Sequence, residues 1–359
     1  MTIREILTEG KKLLKAPSAS SVIDTPDLDA SLLLAETLHY SREELIIRLN
    51  EPITEPAEEK YLGFLERRRS GECVAYILGR REFRGLEFIV NPRVLIPRPE
   101  TEILVEAALE YIDSQINTAG NSYRYSSHRD AKTYRYSSHR DAKAQRQELG
   151  SKDLYSSSPG IDKLKKTCRE KNFYILDLCT GSGALAVSLK RERSFLKITA
   201  SDISNEALEI AALNAERLLG GGIQISAMDA RLSQNHLLNE NGAVHFIASD
   251  LFDGITGKFN IIVSNPPYIP TGEIDRLTPE VHREPRLALD GGRDGLKLIR
   301  KIISKAGDRL LPGGILLLEA APEQMPEIKT LLEGHGFGDI SIHRDLAGKE
   351  RVISGKKQN

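Results

Sequence analysis

The stretch Phe173-Tyr-Ile-Leu-Asp177-Leu-Cys-Thr-Gly181-Ser-Gly183-Ala184 joins a short apolar strand to a helix through a glycine-rich turn. Glycine lets the backbone approach a ligand closely, and the first turn of the following helix presents N–H groups without intrahelical partners. The stretch therefore predicts a ligand site at the carboxyl end of the first strand of an α/β sheet.

Downstream of this turn, apolar segments of strand length alternate with segments of helical periodicity. The predicted strands are 173–178, 197–200, 223–228, 245–248, 261–263 and 314–319, and the predicted helices begin at Ala184, Asn205, Leu296 and Glu323. This rhythm is typical of a parallel sheet with helices on both faces. Two further strands, 340–343 and 351–354, are expected to close the sheet as an antiparallel hairpin.

The preceding part of the chain has a different pattern. Residues 1–81 carry apolar residues at helical spacing and predict a small helical bundle, in which Ser41-Arg-Glu-Glu44 is a capping box and Thr25-Pro26 begins another helix. Residues 82–116 predict a β-hairpin linker and the first helix of the catalytic domain. The catalytic domain itself is expected to occupy residues 172–359.

A proline-flanked loop, Val94-Leu-Ile-Pro-Arg98-Pro-Glu100-Thr101, separates the predicted hairpin from the predicted helix. Pairing of Arg98 with Glu100 would make this loop a structural turn. The alternative is that the loop covers the active site.

Residues 117–171 differ from everything around them. Tyr123-Arg-Tyr-Ser-Ser-His-Arg-Asp-Ala-Lys132 recurs without change as Tyr134–Lys143, and polar, serine-rich sequence follows. So few apolar residues cannot offset the entropy of ordering the chain. The segment predicts a basic, low-complexity, disordered insert.

Composition excludes several classes of protein. The formal net charge is -1, so no overall basic field argues for a nucleic-acid partner. The three cysteines, Cys73, Cys168 and Cys179, form no CxxC pair, which argues against a disulfide framework or a zinc site and fits a reducing compartment. The N-terminal stretch Met1-Thr-Ile-Arg-Glu5 has no apolar signal-peptide core, and no run approaches the 18 apolar residues of a membrane span. Neither secretion nor membrane insertion is predicted, and a cytoplasmic protein is expected.

A second motif, Asn265-Pro-Pro-Tyr268, follows the apolar run Phe259–Val263. An amide or aromatic amine nitrogen is a poor nucleophile, and acceptors for its hydrogens favour the pyramidal nitrogen that attacks an activated methyl group. The Asn265 side chain and the Pro266 backbone offer two such carbonyls, and Tyr268 offers a ring for the planar group. Consecutive prolines hold these acceptors in place. The motif therefore predicts methyl transfer to a planar nitrogen, although Asn-Pro also opens ordinary turns.

Acidic residues at successive strand ends bear on the cofactor. Asp202 ends the next strand, 25 residues after Asp177, where a carboxylate can bind both ribose hydroxyls. The turn is not G-x-G-x-x-G, and a carboxylate at Asp177 would repel a pyrophosphate but attract the amino group and sulfonium of S-adenosylmethionine. Asp250 is expected near the adenine amine, and Leu251 either packs on the adenine ring or belongs to the ordinary core.

Taken together, these segments resemble the peptide chain release factor N5-glutamine methyltransferases (PrmC/HemK) over nearly the whole chain outside the insert. The matching segments are Asp29-Ala30 with Leu33-Leu34, Val74–Gly79, Ile96–Thr101, Asp177–Gly183, Asp202, Ser249–Phe252, Asn265–Tyr268, Glu284-Pro285 and Leu311–Gly314. The resemblance implies a Rossmann-like class I S-adenosylmethionine-dependent methyltransferase domain with a mostly parallel seven-stranded sheet, joined by a β-hairpin to a small helical bundle. It also implies that the substrate is the glutamine of the Gly-Gly-Gln motif in class-1 release factors, and that the bundle helps to dock that factor.

The motifs and the resemblance assign the candidate site. The predicted substrate-binding residues are Asn265, Pro266, Pro267 and Tyr268, of which Asn265, Pro266 and Tyr268 are expected to be catalytic. The predicted S-adenosylmethionine-binding residues are Asp177, Cys179, Thr180, Gly181, Ser182, Gly183, Asp202, Asp250, Leu251 and Asn265. No metal and no stable nucleic-acid partner are expected, and the protein is expected to be a monomer.

One position departs from the family pattern, because Cys179 stands where the family has glycine. If this position needs a positive φ, cysteine costs about 1 kcal/mol there. Activity is expected to be retained, since Gly181 and Gly183 are present. Three alternatives stay open: a glutamine methyltransferase acting on a ribosomal protein, an adenine-N6 or RNA methyltransferase, and a binding module inactivated by Cys179.

Overall fold

The computed structural model describes residues 1–16, 23–118, 173–220, 224–226 and 244–358. From residue 119 onward, the predicted insert lies outside the described residues, as does Cys168. The N-terminal region is helical, as predicted, and comprises α1 (Ile3–Lys15), α2 (Pro26–Leu38), α3 (Arg42–Ile47), α4 (Glu55–Arg69) and α5 (Val74–Leu78).

Local sequence signals explain where these helices begin. The Ser41 hydroxyl accepts from the backbone N–H of Glu44 at 3.1 Å, and the Glu44 carboxylate accepts from the N–H of Ser41 at 2.8 Å. The predicted capping box is therefore confirmed. Helix α2 begins at Pro26, where the missing N–H would have no helical partner.

Apolar side chains of α1, α2 and α4 form one core in this region. Helices α1 and α4 approach closely because Gly10 has no side chain: a Cβ there would lie 2.1 Å from the hydroxyl oxygen of Tyr61. The Tyr61 hydroxyl instead donates to the carbonyl of Ala30 at 3.1 Å, so one buried tyrosine ties three helices together.

A hairpin follows, formed by β1 (Arg80–Phe83) and β2 (Leu86–Ile89) around Arg84 and Gly85, both with positive φ. The remaining helices are α6 (Glu102–Thr118), α7 (Ala184–Glu192), α8 (Asn205–Leu219), α9 (Thr271–Ile274), α10 (Lys297–Arg309) and α11 (Met325–Gly334). The remaining strands are β3 (Tyr174–Leu178), β4 (Lys197–Asp202), β5 (Gln224–Ser226), β6 (His245–Ala248), β7 (Phe259–Ser264), β8 (Leu310–Glu319), β9 (Phe337–Arg344) and β10 (Glu350–Lys357).

Strands β3 to β10 form one sheet in the order β5-β6-β4-β3-β7-β8-β10-β9. Pairing is parallel from β5 to β8, and β10 runs antiparallel to both β8 and β9, so the predicted closing hairpin is confirmed. Among the described residues this sheet has eight strands, one more than the seven implied by the resemblance. The edge strand β5 is a three-residue segment that lies within the predicted strand 223–228 and pairs with β6.

The sheet is covered on both faces. Successive residues of a strand point to opposite faces, and Ile261 and Val263 accordingly join one core with α6, α7 and α8, while Ile262 joins a second core with α10 and α11. Phe83 and Phe88 of the hairpin belong to the first core. The hairpin is thus packed against the helices of the sheet, and it follows directly after α5, the last helix of the bundle.

A buried ionic cluster joins the bundle to the C-terminal part of the chain. The Arg68 guanidinium, 5% exposed, contacts Asp29 at 2.7 Å and Glu280 at 2.9 Å. Glu280 belongs to the long connection between β7 and α10, and Arg283 of the same connection donates to the carbonyl of Ser70 at 2.8 Å. The bundle therefore holds a segment that also reaches the candidate site.

Candidate active site

The carboxyl ends of β3, β4, β6 and β7 meet at one edge of the sheet, where a cavity of about 380 Å³ opens. This volume falls within the usual range of small-molecule sites, roughly 300–1,000 Å³. Of the predicted site residues, the structure brings nine to the cavity wall: Cys179, Thr180, Gly181, Ser182, Asp202, Asp250, Leu251, Asn265 and Pro267. Asp177, Gly183, Pro266 and Tyr268 lie behind this wall or beside it.

The glycine turn has the backbone that its sequence predicts. Gly181 and Gly183 have φ values of 55° and 79°, in the region that glycine adopts without a Cβ clash. A Cβ on Gly183 would also lie 3.1 Å from the Cβ of Ala211 in α8. The turn therefore needs glycine at this position both for its conformation and for close packing.

Hydrogen bonds fix the turn to the neighbouring strand. The N–H of Thr180 donates to the carbonyl of Ser201 at 2.9 Å, and the N–H of Gly181 donates to the Asp202 carboxylate at 2.9 Å. The second Asp202 oxygen accepts from the N–H of Ser204 at 3.0 Å. Burial raises the pKa of Asp202, and these N–H donors oppose that rise. Asp202 thus orders the turn while its side chain remains on the cavity wall.

Asp177 lies beneath the turn and is fully buried. It accepts from the Thr180 hydroxyl at 2.6 Å. Burial raises the pKa of Asp177 to about 7, against the lowering effect of the bonds from Thr180 and the backbone of Ala186. The observed role of this carboxyl is to support the turn from below. Its direct contact with a ligand stays a prediction.

Cys179 adopts a φ of 59°, so the position where the family has glycine does require a positive φ. A non-glycine residue in this region carries a strain of roughly 1–2 kcal/mol. Its side chain lines the cavity and packs against the core around β7 and β8. Burial raises the pKa of the Cys179 thiol, which therefore stays neutral.

The segment after β6 has a feature that the sequence analysis missed. Leu251 has a φ of 53°, and the Ser249 hydroxyl donates to its carbonyl at 2.9 Å. The same hydroxyl oxygen lies 2.6 Å from the carbonyl oxygen of Asp253, so the two carbonyls share its single hydrogen. This tight turn leaves Asp250 exposed at the cavity while Leu251 is buried.

Asn265 and the two prolines follow β7 directly. The Asn265 side-chain nitrogen donates to the Thr101 hydroxyl oxygen at 3.1 Å, while Pro266 and Pro267 are buried. The preceding residue, Ser264, donates through its hydroxyl to the carbonyl of Leu178 at 2.8 Å. The two predicted motifs are therefore linked directly across neighbouring strands.

Tyr268 is half-buried beside the sheet and packs against the core of β7 and β8. Its backbone carbonyl accepts from the Gln324 side-chain nitrogen at 2.9 Å. Burial, with a smaller contribution from Glu319, raises the pKa of the Tyr268 phenol, so the hydroxyl stays protonated.

The proline-flanked loop does reach the cavity, which Pro97, Arg98 and Thr101 line. The expected pairing of Arg98 with Glu100 is wrong. Arg98 pairs with the buried Glu284, whose other oxygen accepts from the N–H of Ile96 at 3.2 Å. Glu100 instead lies 3.5 Å from Arg351. Two segments far apart in sequence thus form one wall of the cavity, and local spacing alone could not reveal this.

Sequence reasoning assigned no role to several residues of this site. They are Thr101, Ile203, Leu287, Leu298 and Glu319. A signal existed for Thr101, which ends the Pro-Arg-Pro-Glu-Thr segment, but nothing in the sequence indicates its contact with Asn265. Asn214 was also missed: its side-chain nitrogen donates to the carbonyls of Ser182 at 2.9 Å and Ile89 at 3.0 Å. It thereby joins the glycine turn to the hairpin.

In the described part of the chain, histidines, cysteines and carboxylates form no group of three or more placed to hold a metal ion. No described helix is long and apolar enough to cross a membrane.

Known proteins are similar to this chain over most of its length. The PrmC N-terminal domain model matches residues 5–79. A release factor glutamine methyltransferase of Burkholderia pseudomallei is 34% identical over 92% of this chain and 91% of its own length. Proteins of the same name from Agrobacterium fabrum and Deinococcus radiodurans are each 30% identical, over 98% and 99% of this chain and 95% and 99% of their own lengths. The fold is the class I S-adenosylmethionine-dependent methyltransferase fold, and the chain belongs to the release factor glutamine methyltransferase family.

Proposed function

We propose that this protein transfers a methyl group from S-adenosylmethionine to the side-chain amide nitrogen (N5) of the glutamine in the Gly-Gly-Gln motif of class-1 peptide chain release factors. The observation that carries the proposal is the Asn265 amide. Its nitrogen is engaged by Thr101, so its oxygen remains available to a ligand in the cavity. The names of the relatives support glutamine as the acceptor.

The residues around the glycine turn fit the methyl donor. A Cβ built on Gly181 would meet nothing within 4 Å, so the backbone there borders open space that a ligand can fill. The Asp202 carboxylate is available for ribose hydroxyls, and Asp250 with Leu251 is available for the adenine. Acidic side chains at the wall also favour a cationic ligand. When bound, S-adenosylmethionine supplies an electrophilic methyl group on its sulfonium.

The residues after β7 prepare the acceptor. The Asn265 side-chain oxygen and the Pro266 carbonyl accept the two hydrogens of the substrate amide, which favours the nitrogen geometry that can attack. Tyr268 restrains the amide plane with its ring. No strong base is required, because an amide nitrogen that has gained charge on methylation loses a proton readily to water. Acceleration then comes from positioning and from fixed dipoles.

The helical region 1–81 is proposed to recognise the protein substrate. Its buried Arg68 contacts Glu280, and the same connection continues to Pro285 and Leu287 on the cavity wall. A protein docked on the bundle would therefore touch a unit continuous with the site. A monomeric, cytoplasmic enzyme without a stable nucleic-acid partner is part of this proposal.

Methyl transfer to purified release factor tests the proposal. Labelled S-adenosylmethionine, this protein and a class-1 release factor should give labelled factor, and a factor with glutamine replaced by alanine in the Gly-Gly-Gln motif should stay unlabelled. Equal labelling of that variant would contradict the proposal. Labelling of a ribosomal protein or of adenine in nucleic acid, with none on the release factor, would establish one of the alternative acceptors.

A further inference from the structure

Behind Asn265 lies a buried chain of polar groups. The Asn265 side-chain nitrogen donates to the Thr101 hydroxyl oxygen at 3.1 Å, and Thr101 is 4% exposed. The Thr101 hydroxyl also interacts with the carboxyl of Glu319 and lowers its pKa; Glu319 ends β8 and is 1% exposed. The Glu319 oxygen Oε2 has no hydrogen-bond partner among the described residues. A buried carboxyl with an unpaired oxygen is costly, so its retention calls for a role.

The number of hydrogens on each of these groups determines how the Asn265 side-chain amide is oriented. A hydroxyl has one hydrogen, and an ionised carboxylate can only accept. Ionised Glu319 therefore takes the Thr101 hydrogen, which leaves the Thr101 oxygen as an acceptor toward Asn265. Asn265 must then turn its nitrogen to Thr101 and its oxygen to the cavity. A protonated Glu319 can donate to Thr101, which is then free to donate to Asn265 and to favour the reversed amide.

We infer that Thr101 and Glu319 are positioning residues for methyl transfer, and that ionised Glu319 acts through the Thr101 hydroxyl to keep the Asn265 oxygen facing the acceptor nitrogen. This inference rests on the proposed function, because it takes a hydrogen-bond donor such as the glutamine amide as the group that Asn265 meets. Glu319 does not line the cavity, and Thr101, which does, is assigned its role through its bond to Asn265.

The contacts from Glu319 through Thr101 to Asn265, called the relay below, make methyl transfer depend on pH. The fall in activity at low pH is the acid limb of the pH profile. Burial raises the pKa of Glu319 to about 7, against the lowering effects of its Thr101 bond and of Arg98 and Arg351, and Glu100 raises it further. The Tyr268 phenol also faces this carboxyl, and burial holds it neutral. Activity should therefore be full above the pKa of Glu319 and fall as the pH drops through that value.

Two substitutions at Thr101 test the relay. Thr101→Val keeps the shape and removes the hydroxyl, and kcat for release factor methylation should fall about 10²-fold, the usual effect of a misplaced reacting group. Thr101→Ser restores the hydroxyl and should recover most of that loss. The affinity for S-adenosylmethionine, measured by calorimetry, should be unchanged in both variants. Equal kcat values for Thr101→Val and the wild type would overturn the inference.

Glu319→Gln tests whether protonation of the Glu319 carboxyl causes the fall in activity at low pH. Its amide oxygen can still accept from Thr101 but does not titrate, so the acid limb of the pH profile should disappear. Glu323→Gln, an exposed neighbour, should keep the limb. An unchanged limb in Glu319→Gln would refute the role of Glu319.

A spectroscopic measurement separates this inference from the proposed function. The ¹⁵N resonance of the Asn265 side-chain amide should shift with pH in the wild type and lose that dependence in Thr101→Val and Glu319→Gln. This readout needs no acceptor. Failure of wild-type enzyme to label the release factor would contradict the proposed function alone, and a pH-independent wild-type resonance would contradict the relay alone.

Discussion

The two turns that meet at the cavity are held in different ways. The glycine turn after β3 is closed mainly from nearby in sequence: the Thr180 hydroxyl donates to Asp177 at 2.6 Å, and the N–H of Gly183 donates to the carbonyl of Thr180 at 2.9 Å. Its remaining support comes from the next strand, through Ser201 and Asp202.

The turn after β7 depends on distant segments. Thr101, 164 residues earlier, engages the Asn265 side chain, and Gln324, 56 residues later, holds the Tyr268 carbonyl. A donor site can therefore be built largely by one strand–turn–helix unit, whereas the acceptor site exists only when the loop before α6 and the segment after β8 are both in place. Substitutions in the two turns should consequently separate loss of chemistry from loss of stability.

The largest expected effect is on the acceptor side. Asn265→Ala removes the carbonyl that accepts from the substrate amide, and methyl transfer should fall by about 10²–10³-fold, as for loss of one fixed dipole in a reacting site. S-adenosylmethionine affinity should change little, because the glycine turn keeps its own supports. Single-turnover labelling and calorimetry measure the two quantities.

Asn205→Ala, a matched change at an exposed position of α8, is the control and should be neutral in both assays. If Asn265→Ala transferred the methyl group as fast as the wild type, the turn after β7 would have no role in the mechanism.

The second effect concerns the support beneath the glycine turn. The folded-state pKa of Asp177 is raised from 3.8 to about 7, so the folded chain binds this proton more tightly than the unfolded chain does. The stability contributed by the protonated form is complete below pH 4 and is lost as the pH rises toward 7. Relative to Asp177→Asn, the wild type should lose about 1.4 kcal/mol of unfolding free energy per pH unit within this window.

Urea unfolding at a series of pH values measures that difference. Glu319 titrates in the same direction in both proteins, so only the difference between them isolates Asp177. A flat difference between pH 4 and 7 would mean that Asp177 is ionised in the folded protein.

A third prediction tests the backbone of the same turn. Gly183→Ala forces alanine to a φ of 79° and brings its Cβ to 3.1 Å from Ala211, so it should destabilise the protein by about 2 kcal/mol. Gly63→Ala provides the contrast, because Gly63 lies exposed within α4 with open space around it. Gly63→Ala should stabilise the protein by about 1 kcal/mol. Changes in unfolding free energy of the same sign for the two variants would contradict the packing argument.

The smallest effect is expected at Cys179. Cys179→Gly relieves the strain at a φ of 59° and should raise the unfolding free energy by about 1 kcal/mol. Cys73, with a φ of -73°, has no such strain, so Cys73→Gly should lower stability by a similar amount through lost packing and greater freedom of the unfolded chain. Chemical denaturation of both variants decides the matter, and stabilisation in both would argue against strain at Cys179.

Much of the fold followed from local signals. The Phe173–Gly183 stretch predicted a strand, a turn and a helix, and the alternating pattern placed the parallel strands and the closing hairpin where they are observed. The edge strand β5 (Gln224–Ser226) also lies within the predicted strand 223–228, so the local pattern gave all eight strands and only the count of seven came from the resemblance. The connection between β7 and α10 contains α9 and short 3₁₀ turns that no periodicity in the sequence indicated.

The candidate site divides in the same way. By itself the sequence determined the glycine turn, the carboxylate that ends β4 and the Asn-Pro-Pro-Tyr motif, because each depends on residue types at fixed local spacing. Only the tertiary structure decided that Arg98 pairs with Glu284, and that Thr101 and Glu319 stand behind Asn265. The physical reason is that parallel strands bring their carboxyl ends together whatever their separation along the chain, so the groups that orient a side chain there come from segments that no local pattern connects.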